Sequence, residues 1–131
     1  MDNPRPYVCL LEDDDAVRES LGWMLERNGF AVRTFQSPRD FLQSAGLDRY
    51  DCLSVDIGLP GMNGLELLEL LRARAFAKPA ILLAAAGYPL LEEHMHAAGA
   101  IELLLKPIEP ETLLLALRKA IRHRNEVALR T

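Results

Sequence analysis

The stretch Ser54-Val-Asp-Ile-Gly-Leu-Pro-Gly-Met-Asn-Gly64 joins the end of an apolar run to a carboxylate and a turn. Residues Cys52–Val55 have the composition of a buried strand, and the proline and glycines after Asp56 interrupt regular structure. From Leu65 the pattern Leu-Glu-Leu-Leu-Glu-Leu-Leu-Arg predicts a helix. Asp56 is therefore expected at the carboxyl end of a buried strand, where open α/β sheets bind their ligands.

Four further strands and four further helices are predicted around this unit. The other strands are expected at Tyr7–Leu11, Ala31–Phe35, Ala80–Ala84 and Ile101–Leu105. Including the helix at Leu65–Ala75, the five helices are expected at about Ala16–Asn28, from Pro38 (with Ser37 as N-cap) to near Gly46, at Leu65–Ala75, at Leu90–Ala98 and at Glu109–Arg122. Five alternating units with short connections predict one α/β domain, a doubly wound five-stranded parallel sheet with helices on both faces.

Composition limits the classes of function. The 131 residues are 50% hydrophobic and 26% charged, which fits a single globular domain, and the formal charge is −4. This charge gives no reason to expect binding to nucleic acid or to an anionic membrane, and we interpret the basic run Arg118–Arg124 as cations at a helix C-terminus. No stretch approaches the ~20 apolar residues of a membrane span, and the N-terminus does not resemble a signal peptide. A cytoplasmic location is expected.

Several chemically active residues fit structural roles. Cys9 and Cys52 fall in predicted strands, so we expect buried free thiols in preference to a disulfide. His94 and His96 are two positions apart on a predicted helix, so their side chains point in different directions and are poorly placed to bind one metal ion. We interpret both histidines as exposed helix surface and Trp23 as helix packing.

The ends of the predicted strands bring charged residues together. In a parallel sheet Glu12, Asp13, Asp56, Ala84 and Lys106 all lie at one edge, and with the flavodoxin-like strand order 2-1-3-4-5 the three carboxylates share one crevice. Clustered carboxylates repel one another, and Mg²⁺ with its oxygen ligands neutralises them. An aspartate beside Mg²⁺ and a lysine is suited to nucleophilic attack on phosphorus, which gives an aspartyl phosphate.

Four motifs resemble the receiver domain of two-component response regulators, with its CheY-like (βα)5 fold. They are Leu11-Glu-Asp-Asp-Asp-Ala-Val-Arg-Glu-Ser-Leu21, Val55–Leu67, Ala98-Gly-Ala100 and Leu105-Lys-Pro107. The resemblance extends from Tyr7 to about Arg122. It implies a domain at residues 1–123, followed by a tail or the start of a linker at 124–131.

The resemblance implies a role for each residue of the crevice. Asp56 is the expected phospho-acceptor, Glu12 and Asp13 hold Mg²⁺ with it, the carbonyl of Gly58 is a backbone metal ligand, and Lys106 contacts the phosphoryl group. The phosphoryl donor is a sensor histidine kinase or a phosphotransfer protein. Such a domain is not expected to be an enzyme, because it catalyses at most its own phosphorylation and dephosphorylation. The family also favours a cis bond between Lys106 and Pro107.

Two positions depart from the family pattern. The Ser or Thr that usually ends the fourth strand is Ala84, and the aromatic switch residue of the fifth strand is Leu103. A lost charge-assisted hydrogen bond is worth roughly 1.5–3 kcal/mol. We therefore expect a receiver that is phosphorylated but relays the signal weakly or by another route.

Two other functions remain open. A phosphorylation-independent module for protein–protein interaction or dimerisation is favoured by Ala84 and Leu103. A Mg²⁺-dependent phosphohydrolase could use the same acidic cluster, but no residue of the motifs clearly offers the base that would activate water.

The output surface is expected on the last two units. Leu115 lies opposite the apolar stripe of the last helix, beside Arg118 and Lys119. Some receivers form homodimers through the fourth helix, fifth strand and fifth helix, so Leu115 is a candidate interface residue. In this family the linker often leads to a helix-turn-helix DNA-binding domain for transcription regulation, and any contact with DNA is expected there.

Overall fold

The computed structural model describes residues 4–89 and 92–130, in which five strands alternate with five α-helices. The strands are β1 (Tyr7–Leu11), β2 (Ala31–Phe35), β3 (Cys52–Asp56), β4 (Ala80–Ala84) and β5 (Ala100–Leu105). The helices are α1 (Asp15–Arg27), α2 (Pro38–Gln43), α3 (Gly64–Ala73), α4 (Glu92–Ala97) and α5 (Pro110–Arg130). A short 3-10 helix, Leu47–Arg49, precedes β3. Every strand thus lies within one residue of its predicted bounds.

All strand pairs of the sheet are parallel, and the strand order is β2-β1-β3-β4-β5. The doubly wound fold is therefore confirmed. Every residue of β3 and β4 is buried because helices cover both faces of the central strands, which explains their continuous apolar sequence. Leu11 pairs with Val55, and Asp56 pairs with Leu83. This register places the carboxyl ends of β1, β3 and β4 side by side.

Two apolar clusters hold the helices against the sheet. One contains Leu53 and Val55 with α2, α3 and α4, and the other contains Leu10 with α1 and α5. Cys9 lies in the first cluster and Cys52 in the second. Both thiols are buried and free, as predicted.

Side-chain caps fix where three helices begin. The Asp14 carboxylate accepts a hydrogen bond from the Val17 N–H at 3.0 Å, and the Ser37 hydroxyl accepts one from the Asp40 N–H at 3.2 Å. Ser37 is thus the predicted N-cap. Asn63 and Glu66 form a reciprocal capping box at the start of α3. This cap holds the turn that follows Asp56.

Two large apolar side chains of α1, Val17 and Trp23, are exposed. Val17 is 38% exposed because it lies in the first turn, where the sheet ends, and lines a surface cleft with Lys106 and Pro107. Trp23 is 62% exposed, with the Arg27 guanidinium 4.6 Å from its ring centroid. Its position, two residues from the buried Leu21, turns it about 200° away from the core. The interpretation of Trp23 as helix packing is wrong, because the ring is exposed and contacts Arg27 of the same helix.

The last helix is longer than predicted. It continues past Arg122 to Arg130, because residues 124–130 contain no glycine or proline that would end it. The predicted boundary at 123/124 therefore falls inside α5, and a linker role for 124–131 stays a prediction. Leu113 and Leu117 are buried, whereas Leu115 is 65% exposed, which confirms the predicted stripe and the outward position of Leu115.

The α4 region agrees with its prediction where it is described. Helix α4 ends at Ala97, one residue before the predicted end, and its expected start at Leu90 lies outside the described residues. His94 and His96 are both exposed, as expected for helix surface. Within residues 4–89 and 92–130, no helix combines the length and apolar character that a membrane crossing requires.

Candidate functional site

Charged side chains from three strand ends meet at the carboxyl edge of the sheet. Glu12 follows β1, Asp56 ends β3 and Lys106 follows β5. The Lys106 Nζ lies 2.6 Å from Asp56 Oδ2 and 3.4 Å from Glu12 Oε1. The Lys106–Pro107 bond is cis, as the family resemblance predicts. The structure thus brings together the acidic and basic residues that the sequence placed in one crevice.

The acidic cluster has the donor set of a site for a hard cation. Glu12, Asp13 and Asp56 each offer one carboxylate oxygen, and these atoms lie within 4.8 Å of one another. Glu12 and Asp56 are buried, while Asp13 is exposed. The buried Glu12 Oε2 has no hydrogen-bond partner among the described residues. An unpaired buried carboxylate oxygen is unfavourable, so the cluster fits a divalent cation with oxygen ligands.

The electrostatics of the site shift the pKa values of its two buried carboxyl groups in opposite directions. Burial raises the pKa of Glu12 to about 8, and the neighbouring Asp56 carboxylate adds to the shift. Burial also acts to raise the pKa of Asp56, but the proximity of the Glu12 carboxyl and the hydrogen bonds from Lys106 and the Gly58 N–H outweigh it and hold the pKa below its usual value. Burial opposes the charged form of Lys106, yet Asp56 and Glu12 raise its pKa. The geometry therefore favours an ionised Asp56 beside a protonated Lys106.

Two glycines shape the backbone around Asp56. The Gly58 N–H donates a hydrogen bond to Asp56 Oδ1 at 3.0 Å, which orients the carboxylate. A Cβ at Gly64 would lie 2.5 Å from the Asp56 carbonyl oxygen, so only glycine lets α3 begin this close to β3. Sequence reasoning treated Gly64 only as a turn residue. The predicted metal contact of the Gly58 carbonyl stays a prediction.

Arg18 is a supporting residue that the sequence reasoning missed. Its Nη1 donates to the Glu12 carbonyl at 2.9 Å, and its Nη2 contacts Asp15 Oδ1 at 2.6 Å. The arginine therefore ties the first turn of α1 to the backbone of the carboxylate that follows β1. The i,i+3 spacing of Asp15 and Arg18 was a visible signal of the ion pair, but the contact with Glu12 depends on the fold of the connecting loop.

A comparison with protein families decides how this site is classified. The model of the response regulator receiver domain matches residues 8–118. The chain belongs to the response regulator receiver domain family. This match confirms the family resemblance that was based on the motifs containing Glu12, Asp56 and Lys106.

Known relatives and structures support the same assignment of the receiver domain. The transcriptional regulatory proteins FixJ of Bradyrhizobium diazoefficiens and of Azorhizobium caulinodans are 32% and 40% identical to the chain over 93% and 87% of its length. These matches cover 60% and 54% of the two relatives, so the chain spans little more than half of their length. The crystal structure named FixJ-N is 33% identical, with a TM-score of 0.81, over 94% of this chain and 97% of that one.

The two atypical switch positions of the receiver lie in the same apolar cluster. Ala84 is 1% exposed and ends β4, next to Leu83, the residue that pairs with Asp56. The Lys106 N–H donates to the Ala84 carbonyl at 2.7 Å, so the backbone links this position to the charged site. Leu103 is partly buried against the cluster that contains Ala84. The position beside Asp56 thus has a methyl group where the family resemblance predicts a hydroxyl.

Proposed function

We propose that this receiver domain accepts a phosphoryl group on Asp56 from a sensor histidine kinase or a phosphotransfer protein, with Mg²⁺ as cofactor. The observation that carries the proposal is the 2.6 Å contact between the Lys106 ammonium and the buried Asp56 carboxylate, beside the unpaired Glu12 oxygen. A lysine and an acidic cluster around one buried aspartate match the needs of phosphoryl transfer.

In the transfer step, an Asp56 oxygen attacks the phosphorus of a phosphohistidine. The new O–P bond forms as the N–P bond breaks, and the electron pair of that bond returns to the donor imidazole nitrogen. The Gly58 N–H holds Asp56 Oδ1 in place, while Lys106 neutralises charge on the phosphoryl oxygens. Glu12, Asp13, Asp56 and the Gly58 carbonyl would hold Mg²⁺, which would supply further neutralisation of charge on these oxygens.

The proposed role is that of a signalling domain, and it does not include turnover of separate substrates. Asp56 and Glu12 both contact Lys106. A bound Mg²⁺ would be held by these two carboxylates together with Asp13. No carboxylate of the cluster is then left to activate water against an acyl phosphate. Catalysis is limited to the domain's own phosphorylation and slow dephosphorylation.

The test is intact-mass spectrometry after incubation with Mg²⁺ and acetyl phosphate. The expected result is a gain of one phosphoryl group that is lost when Mg²⁺ is omitted. Asp56→Asn removes the nucleophile and should gain nothing, whereas Asp48→Asn, which alters an exposed carboxylate in the 3-10 helix before β3, should gain the group normally. A mass gain that persists in Asp56→Asn contradicts the assignment of the acceptor.

The second candidate is a phosphorylation-independent interaction module. It is favoured by Ala84, whose buried methyl group cannot hydrogen bond to a phosphoryl oxygen, and by Leu103 at the aromatic switch position. No mass gain with acetyl phosphate, together with no Mg²⁺ binding by calorimetry, supports this module and contradicts the phosphoryl acceptor.

The proposed output is transcription regulation through a further domain of a longer protein. The relatives are named transcriptional regulatory proteins, and the chain spans little more than half of their length. Exposed apolar side chains at Leu105 and Leu115 support homodimerisation through α4, β5 and α5. The proposal places the protein in the cytoplasm, with DNA contacts made outside this domain.

A further inference from the structure

The amino edge of the sheet, opposite Asp56, contains a cleft of about 460 Å³ where β4 and β5 begin. The end of α3, the turn between α4 and β5, and the second half of α5 form its walls. Small-molecule sites have volumes of roughly 300–1,000 Å³. The cleft is thus large enough for a small ligand and is separate from the carboxyl edge.

The floor of the cleft is apolar. Leu68, Leu71, Ala98 and Ala120 line it and are buried. Ile101 also lines it and is 42% exposed, because the pairing of β4 with β5 shifts register at this point, from Ala80 with Ala100 to Ile81 with Glu102. Ile101 is the extra residue of this bulge, and bulges re-aim side chains. The result is an apolar surface that is accessible to a ligand.

The rim of the cleft is cationic. Arg72 and Lys78 supply the positive charge of the rim, His96 and His123 also line it, and the described lining residues include no aspartate or glutamate. Neither Arg72 nor Lys78 forms an ion pair within the described part of the chain, in a protein with a formal charge of −4. A concave site with one sign of charge attracts ligands of the opposite sign. The charge of the rim therefore favours an anion.

Arg72 lies across the turn that closes the cleft. Its Nη1 is 3.5 Å from the position that a Cβ would occupy at Gly99, a residue with φ of +91°. Glycine suits this backbone conformation and leaves room for the guanidinium. A guanidinium presents paired N–H groups that match the two oxygens of a carboxylate. Arg72 is exposed, so its guanidinium is accessible to a ligand at this edge of the cleft.

We propose that the cleft binds a small amphiphilic organic anion. Its carboxylate contacts Arg72 and Lys78, and its apolar body packs on Leu71 and Ile101. This site is separate from Asp56, because the two lie at opposite edges of the sheet.

The test uses octanoate as the probe and isothermal titration calorimetry with the full chain. Arg72→Gln and Lys78→Gln should each weaken octanoate binding by about tenfold, because each removes a charge-assisted contact. Arg74→Gln is the matched control, since Arg74 is exposed near the end of the same helix but does not line the cleft. Its affinity for octanoate should equal that of the unmodified chain.

A second probe separates recognition of charge from simple adhesion to an apolar surface. Octanamide has the same chain but no charge, and it should bind about tenfold more weakly than octanoate. Equal affinity for both probes, equal affinity in Arg72→Gln, or no octanoate binding overturns the proposal. Self-association that disappears in Arg72→Gln would assign the cleft to a second copy of the chain, and would also overturn it.

Discussion

The proposed acceptor site and the two positions that depart from the family pattern, Ala84 and Leu103, differ in how they are built. The acceptor site combines Glu12, Asp56 and Lys106, which are linked by contacts of 2.6 and 3.4 Å. The switch positions, Ala84 and Leu103, offer only apolar contacts within one side of the core. The charged residues that the family resemblance implies are present, whereas Ala84 and Leu103 lack the hydroxyl and the aromatic ring that it implies at the switch positions.

This difference separates accepting a phosphoryl group from relaying its presence. Acceptance depends on charges that strand ends and backbone N–H groups hold in place. Relay requires that the phosphoryl group bind one conformation better than another, since a ligand with equal affinity for two states shifts neither. The hydroxyl that Ala84 lacks is worth roughly 1.5–3 kcal/mol of that preference. We therefore expect efficient acceptance with weak relay.

The largest expected effect is on the acceptor side. Lys106→Gln removes the cation that faces Asp56, and phosphorylation by acetyl phosphate should slow about 100-fold. The time course of the mass gain measures this rate. Lys119→Gln, an exposed lysine on α5, is the control and should leave the rate unchanged. Equal rates for Lys106→Gln and the unmodified chain would show that the contact has no role in transfer.

A smaller effect, on the stability of the fold, is expected from a substitution at Gly64, where α3 packs closely against Asp56. Gly64→Ala places a Cβ 2.5 Å from the Asp56 carbonyl oxygen and should lower the free energy of unfolding by about 1–3 kcal/mol. Urea denaturation measures the change. In Gly22→Ala the added Cβ meets only Thr34 Cγ2, at 3.4 Å, so this control should keep or raise stability. Wild-type stability in Gly64→Ala is incompatible with the close packing of α3 on β3.

The pH dependence of Mg²⁺ binding tests the electrostatics of the acceptor site. The pKa of Glu12 is raised from its ordinary value of 4.5 to about 8, so below that pH a cation must displace its proton. Mg²⁺ affinity should rise about tenfold per pH unit between pH 6 and 8 and level off above, as calorimetry can measure. Asp14→Asn, which alters an exposed helix cap, should keep this profile. A flat profile from pH 6 to 8 argues against Glu12 as a ligand.

The same shift determines the sign of the effect of pH on stability. Because the folded pKa of Glu12 lies above its unfolded value, its favourable contribution is present below about pH 4.5 and is lost as the pH rises toward 8. Asp56 acts in the opposite sense, since its lowered pKa stabilises the fold above its unfolded pKa. Mg²⁺ should therefore raise the melting temperature more at pH 8 than at pH 6.

The smallest effect is expected at the proposed dimerisation surface, which contains Leu115. Leu115→Asp places a charge at a side chain that is 65% exposed and should weaken self-association without changing stability by more than about 0.5 kcal/mol. Sedimentation measures association. Val17→Asp alters an exposed apolar residue on α1 and serves as the control. Identical association of the Leu115→Asp variant and the unmodified chain removes Leu115 from the interface.

Most of the fold was predictable because its strands are short apolar runs between clear turn signals. Once the parallel sheet was inferred, the proximity of Glu12, Asp56 and Lys106 followed from the common direction of the strands. The end of α5 was not predictable in this way, since helix formers after Arg122 give no stop signal.

Features that depend on three-dimensional packing could not be read from the sequence. The contact of Arg18 with the Glu12 carbonyl depends on the path of a loop, and the need for glycine at position 64 depends on how closely α3 approaches β3. The exposure of Ile101 depends on a bulge in β5 that leaves no signal in an apolar run. In each case the sequence pattern predicted the helix or strand but not the residues that it contacts.

The central claim, acceptance with weak relay, is tested most directly by NMR with Mg²⁺ and beryllofluoride, which mimics a phosphoryl group on the acceptor. The unmodified chain should show amide shifts near Glu12, Asp56 and Lys106, with little change in β5 and in the described residues of α4. The variant with Ala84→Thr and Leu103→Tyr should add large shifts in α4 and β5. Equally large α4 and β5 shifts in both proteins, or no shifts near Asp56, would contradict the account.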